Sequence, residues 1–170
     1  MRIIVVEDDD DMYENYEDTA SDLTSEFLQI ELVREKSAES AKQSLLSKGF
    51  DGAIIDLNLN QSDPTEASGN IVLKEIVDKH RFPVFVVSGN LQNIDPDLDD
   101  KKSEFLKFLD RELSNEDIFN GLIGIFNTGI TKILGGRGKI EQSLGEIFWT
   151  HLANDFGIWS SGRNLERKRQ

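Results

Sequence analysis

The chain has 170 residues, 38% of them hydrophobic and 30% charged, enough for one full core with an appendage and rather few for two ordinary domains. A net charge of -13, from 32 acidic against 19 basic residues, argues against nucleic acid as a partner, because a polyanion needs Lys and Arg to displace its counterions. The lack of cysteine excludes disulfides, thiolate nucleophiles and Cys-based metal sites; with no apolar run near the ~18 residues that span a bilayer, the protein is expected to be soluble and cytoplasmic, without membrane contact.

Ile3-Ile4-Val5-Val6 is β-branched and apolar on both faces, which predicts a strand buried in a parallel sheet. Met12, Tyr16, Ala20, Leu23 and Phe27 then recur at intervals of four, four, three and four, one face of a helix. Ile30 to Val33 predicts a second strand, Ala38, Ala41 and Leu45 a second helix ending before Gly49, and Ala53 to Leu57 a third buried strand. After a polar stretch with Pro64, Ser68 and Gly69 precede a helix carrying Val72, Leu73, Ile76 and Val77 inward, and Pro83 admits the strand Val84 to Val87. Gly89 to Ser103 is acidic and contains Pro96, so a fourth helix there is expected to be short or irregular. Glu104 to Leu109 predicts a fifth strand. Ser114, with Asp117 as its box partner, predicts the capped start of a helix bearing Ile118, Leu122, Ile125, Phe126 and Ile133, stopped by Gly135-Gly136.

Strands alternating with helices over short connections predict an α/β fold, a doubly wound five-stranded parallel sheet with a C-terminal helical extension. The expected division is a domain over 1–134, a helical extension over 135–159 and a polar basic tail over 160–170. In the extension, Ile140, Leu144, Ile147, Phe148 and Leu152 form an apolar helical face, with Trp149 and Trp159 as large anchors. That face is expected either to fold back on the sheet or to dock a second copy or an output protein.

Sheets of this kind place their sites beyond the carboxyl ends of the strands. The first strand ends in Glu7-Asp8-Asp9-Asp10-Asp11 and the third runs into Asp56, so carboxylates from both converge at one edge. Like charges in a crevice are costly unless a hard cation neutralises them, and ligation by oxygen alone suits Mg²⁺. Asp9, Asp10 and Asp11 read instead as helix-capping or solvated acids. Ser88 ends the fourth strand at the same edge, where a hydroxyl could follow a phosphoryl oxygen.

The order of Glu7-Asp8, of Asp56 in Ile-Ile-Asp-Leu-Asn-Leu and of Ser88 in Val-Val-Ser-Gly resembles the response-regulator receiver family of two-component signalling, over about Met1 to Leu134. By that resemblance the fold is CheY-like, Asp56 is the phosphoacceptor, and Mg²⁺ is held by Glu7, Asp8, Asp56 and the Asn58 backbone carbonyl. The family's basic residue after the fifth strand falls on Arg111, with Lys107 as the alternative anchor, and Phe108 takes the place of the switch aromatic. This sequence departs from the family in having Arg where lysine then proline is usual, no proline after the acceptor strand, a longer loop from Asn60 to Ser68 and a poorly written fourth helix.

The resemblance implies a signalling domain, not an enzyme beyond its own phosphorylation and slow dephosphorylation, fed by a histidine kinase or phosphotransfer protein. The alternative is a pseudo-receiver, a binding module independent of phosphorylation. Gly135-Gly136-Arg137-Gly138-Lys139 fails as a phosphate loop, since Ile140 stands where Ser or Thr is required, and His80 and His151 each lack a plausible partner ligand.

Overall fold

The structure is a computed structural model, describing residues 1–47, 49–59 and 68–134. The expected extension over 135–159 and tail over 160–170 lie outside the described residues, as does the loop segment 60–67. In chain order the elements are β1 (Arg2–Val6), α1 (Asp10–Leu23), β2 (Glu31–Glu35), α2 (Ala38–Ser47), β3 (Gly52–Ile55), α3 (Gly69–Lys79), β4 (Val84–Val87), a 3₁₀ turn at Leu91–Asn93, α4 (Pro96–Asp99), β5 (Leu106–Leu109), α5 (Asn115–Asn127) and α6 (Ile130–Leu134).

The strands form one parallel sheet in the order β2-β1-β3-β4-β5. Because successive side chains in a strand point to opposite faces, β1 divides its apolar run between two cores. Ile4 and Val6 pack with Ala41, Leu45, Leu73 and Ile76 on the α2–α3 side. Ile3 and Val5 pack with Tyr16, Ala20, Ile118 and Phe119 on the α1–α5 side. β3 and β4 are buried throughout and β1 from Ile3 onward, as strands covered on both faces must be.

Four expectations shift in detail. Phe27 does not continue the apolar face of α1, because Thr24 turns the chain to extended backbone at ψ 135° and leaves Phe27 96% exposed. β5 starts at Leu106 rather than Glu104, and β3 ends at Ile55, short of Leu57. The last predicted helix is two, since Gly129 at φ 74° breaks the chain between α5 and α6 before Ile133. The irregular fourth helix is as expected, one turn starting at Pro96 and capped by Asp95. Ser114 caps α5 by accepting the Asp117 N–H, and its own hydroxyl donates to the Asp117 carboxylate at 2.7 Å.

One close approach fixes the edge of the sheet where the site forms. Gly69 donates its N–H to the Leu57 carbonyl at 3.0 Å, and a Cβ on it would lie 2.2 Å from the Asp56 carbonyl oxygen and 2.7 Å from Leu57 Cα. α3 therefore begins flush against the backbone of the β3 exit. Gly69→Ala should destabilise the protein by about 1–3 kcal/mol or more, because backbone must move to admit the methyl. Gly124→Ala, in α5 with open space around it, should instead stabilise by about 0.5–1 kcal/mol. Chemical denaturation of both variants checks the contrast, and equal stability of Gly69→Ala and parent would refute the tight contact.

Candidate functional site

The sheet order reverses between β1 and β3, the position at which doubly wound sheets open a crevice. Glu7 and Asp8 leave β1 there and Asp56 leaves β3, and the Asp56 N–H donates to the Val6 carbonyl at 2.9 Å, tying the two exits together. One carboxylate oxygen from each of Glu7, Asp8 and Asp56 lies within 4.8 Å of the others. Glu7 and Asp56 are each 2% exposed, and Asp8 is half-buried.

Burial penalises the charged form of a carboxyl group. The Glu7 carboxyl is pushed up to about 7, by burial first and then by the nearby Asp56 and Asp8 carboxylates; the Asp9 N–H, donating at 3.0 Å, and Arg111 act in the opposite direction. Asp56 is also raised above the usual carboxylate range, chiefly by burial, while Arg111, the Asn58 amide and the Ser88 hydroxyl pull it down. Both shifts express the same strain between like charges withdrawn from water.

Arg111, in the turn after β5, supplies the countercharge. Its Nη2 lies 2.5 Å from Asp56 Oδ2 and 3.8 Å from Glu7 Oε2. Asp56 Oδ1 remains buried with no hydrogen-bond partner among the described residues. A donor set made of oxygen alone, with one buried carboxylate oxygen left over, fits a hard cation such as Mg²⁺. Glu7, Asp8 and Asp56 would hold it, and Asn58, expected to add its backbone carbonyl, follows Asp56 on the same exit.

The other expected residues divide. Ser88 sits at the end of β4, 2% exposed, with its N–H donating to the Leu109 carbonyl at 3.2 Å and its Oγ accepting from the Asn90 N–H at 3.3 Å. Phe108 is buried in the α2–α3 core. Lys107, the alternative to Arg111, is not brought to the carboxylates: its ammonium pairs with Glu104 at 2.7 Å and lies 5.4 Å from the Phe85 ring centroid. Lys107 lies within β5, opposite Phe85 in the register, whereas Arg111 lies past the strand end. Asp9 caps α1 by accepting the Asp11 and Met12 N–H groups, so the bland reading of that acid holds. Arg34, which reaches the β1–α1 turn from β2, has no sequence signal, because a basic residue on a short strand reads as solvated.

No family model matches the sequence, and no curated protein matches it. Solved structures do match, and receiver domains are prominent among them. A CheY-like response-regulator receiver domain from Methanospirillum hungatei superposes with a TM-score of 0.59 at 16% identity, covering 77% of this chain and 97% of its own. A similar domain from Methylobacillus flagellatus gives 0.54 at 19% identity over 72% of this chain and 98% of that one. A receiver domain from Francisella gives 0.59 at 14% identity over 75% and 98%. The chain is thus built on the CheY-like receiver fold.

The raised Glu7 carboxyl makes a prediction about metal-free protein. A carboxyl raised from 4.5 to about 7 on folding contributes stability that is full below 4.5 and is lost as pH climbs to about 7. The loss is on the order of 3 kcal/mol. In the presence of chelator, stability should fall over that window in the parent and fall much less in Glu7→Gln. Parallel slopes in urea titrations at stepped pH would show that Glu7 is not the group responsible.

Proposed function

We propose that this chain is a receiver that accepts a phosphoryl group on Asp56 from a phosphohistidine in a histidine kinase or phosphotransfer protein, and so switches its interactions with a partner. The observation that carries the reading is the convergence of the Glu7, Asp8 and Asp56 carboxylates within 4.8 Å, with Arg111 on Asp56 and Ser88 at the adjoining strand end. The CheY-like fold supports it by placing that edge where receivers are built to act.

In the transfer, an Asp56 carboxylate oxygen attacks phosphorus, the P–N bond of the donor breaks, and the imidazole leaves and is protonated by solvent. The product is a mixed anhydride on Asp56. A bound Mg²⁺ would offset the charge that the acidic cluster and the incoming group bring together. Arg111 pairs with Asp56 before transfer and its guanidinium can turn to the phosphoryl oxygens afterwards, because its planar fork suits either anion. Ser88, at hydrogen-bonding depth on the neighbouring strand, would follow a phosphoryl oxygen, and Phe108 would change its packing in response. The switch is then a population shift between two packings of β4 and β5.

One observation favours a second reading, a binding module independent of phosphorylation on the same fold. The Arg111 guanidinium already neutralises Asp56 and approaches Glu7, which is the charge balance that a cation would otherwise supply. Among the described residues no helix is long and apolar enough to cross a membrane, so neither reading calls on a membrane-spanning helix there.

Incubation with acetyl phosphate and Mg²⁺ separates the two. The receiver reading expects one hydroxylamine-labile phosphoryl group per chain in the parent and none in Asp56→Asn with its fold retained. Undiminished labelling of Asp56→Asn would remove Asp56 as acceptor, and an unlabelled parent that binds Mg²⁺ would favour the binding module.

A further inference from the structure

Arg34 sits on β2, opposite Val5 in the register, with a side chain only 17% exposed. Every nitrogen of its guanidinium is engaged by the turn that follows β1. Nε donates to the Glu7 carbonyl at 3.1 Å, Nη2 donates to the Asp8 carbonyl at 3.1 Å, and Nη1 pairs with the Asp10 carboxylate at 2.6 Å. The Arg34 Cζ lies over the Tyr13 ring, 4.6 Å from its centroid, so α1 also holds it. The two carbonyls belong to Glu7 and Asp8, two of the three residues whose side chains form the carboxylate cluster. A short turn crowded with five consecutive acids, Glu7 to Asp11, would otherwise spread to relieve repulsion.

We infer that Arg34 is a positioning residue for the carboxylate site, a three-point clamp that fixes the backbone of Glu7 and Asp8 so that their side chains converge on Asp56. The inference rests on the reading of that cluster as a cation site, and it concerns what holds the site rather than what the site does. Lysine cannot replace it, because an ammonium is a point donor and cannot span two carbonyls and a carboxylate in one plane.

The sign of the effect distinguishes a clamp from a simple charge. Removing a cation beside an acidic site should strengthen Mg²⁺ binding if charge alone matters. Removing a clamp should weaken it, and outer partners that orient metal ligands are worth about 10- to 100-fold in affinity. Lys36 provides the control: its ammonium also pairs with Asp10 at 2.6 Å, is 56% exposed and carries the same charge, but it meets a side chain and not the carbonyls of Glu7 and Asp8.

The experiment titrates Mg²⁺ into the full chain by calorimetry for the parent, Arg34→Met, Arg34→Lys, Lys36→Met and Asp8→Asn. In parallel, amide hydrogen exchange at Asp9 is followed in chelator, because that N–H donates to the Glu7 carboxylate. The clamp expects about 10- to 100-fold weaker binding in both Arg34 variants, unchanged or slightly tighter binding in Lys36→Met, and faster exchange at Asp9 in both Arg34 variants without metal. Arg34→Lys binding as well as the parent, or Arg34→Met binding more tightly, would overturn the clamp. If the parent and Asp8→Asn bind Mg²⁺ equally poorly, the cation reading falls; faster Asp9 exchange in the Arg34 variants then still supports the clamp, and unchanged exchange sinks it too.

Discussion

The burial of the Glu7 and Asp56 carboxylates, each 2% exposed at the crevice between β1 and β3, is the constraint on which the site depends. A carboxylate withdrawn from water without a partner is too costly to keep, so each must be protonated, paired or bound to a cation. Protonation and pairing are visible around this pair, and one oxygen remains that a cation could take. Glu7 is raised to about 7, Arg111 lies against Asp56, and Asp56 Oδ1 is left over as a donor. Residues that serve no purpose in stability are expected to avoid such positions, which is why the cluster marks function more strongly than the exposed acids of the same turn do.

The fold imposes the burial through backbone geometry. Parallel strands β1 and β3 end in register, with Val6 opposite Ile55, so the residues after them must meet. The Asp56 N–H to the Val6 carbonyl and Gly69 against the Asp56 and Leu57 backbone leave the β3 exit little freedom. On the other side Arg34, on the edge strand β2, ties down the β1 exit, so both exits that carry the cluster are held. The division of the core into an α1–α5 face and an α2–α3 face supplies the rigid support that such a strained arrangement needs.

What could be read from the sequence follows from the range of the interactions involved. β1, β3 and β4 announce themselves because a strand covered on both faces is apolar throughout, and the carboxylates at their ends follow from topology. Boundaries were less legible. Phe27 extends the period of α1 on paper, yet the Thr24 hydroxyl donates to the Ala20 carbonyl at 2.9 Å as the chain turns away. Helix α5 reads as continuous through Ile133 because Gly129 costs a helix little in pattern and much in geometry. Arg34 could not be found at all, since its partners lie 26 and 27 residues earlier and only strand pairing brings them near. Of the two basic candidates, Lys107 lies within β5 opposite Phe85, while Arg111, past the strand end, lies against Asp56.

The arginine has a consequence for how the site balances charge. An ammonium offers one compact, strongly hydrated charge, whereas the guanidinium spreads its charge over a planar fork, and here one of its nitrogens lies within 4 Å of both Asp56 and Glu7. The same nitrogen cannot serve two carboxylates and an incoming phosphoryl group at full strength. Any anion added at Asp56 must therefore draw Arg111 away from Glu7, and any cation added among the carboxylates must compete with it. Arg111 leaves the turn after β5, and Ser88 is joined to the end of that strand by its N–H, which donates to the Leu109 carbonyl. The ends of β4 and β5 are thus linked to Asp56 by an ion pair and a hydrogen bond of the fold itself.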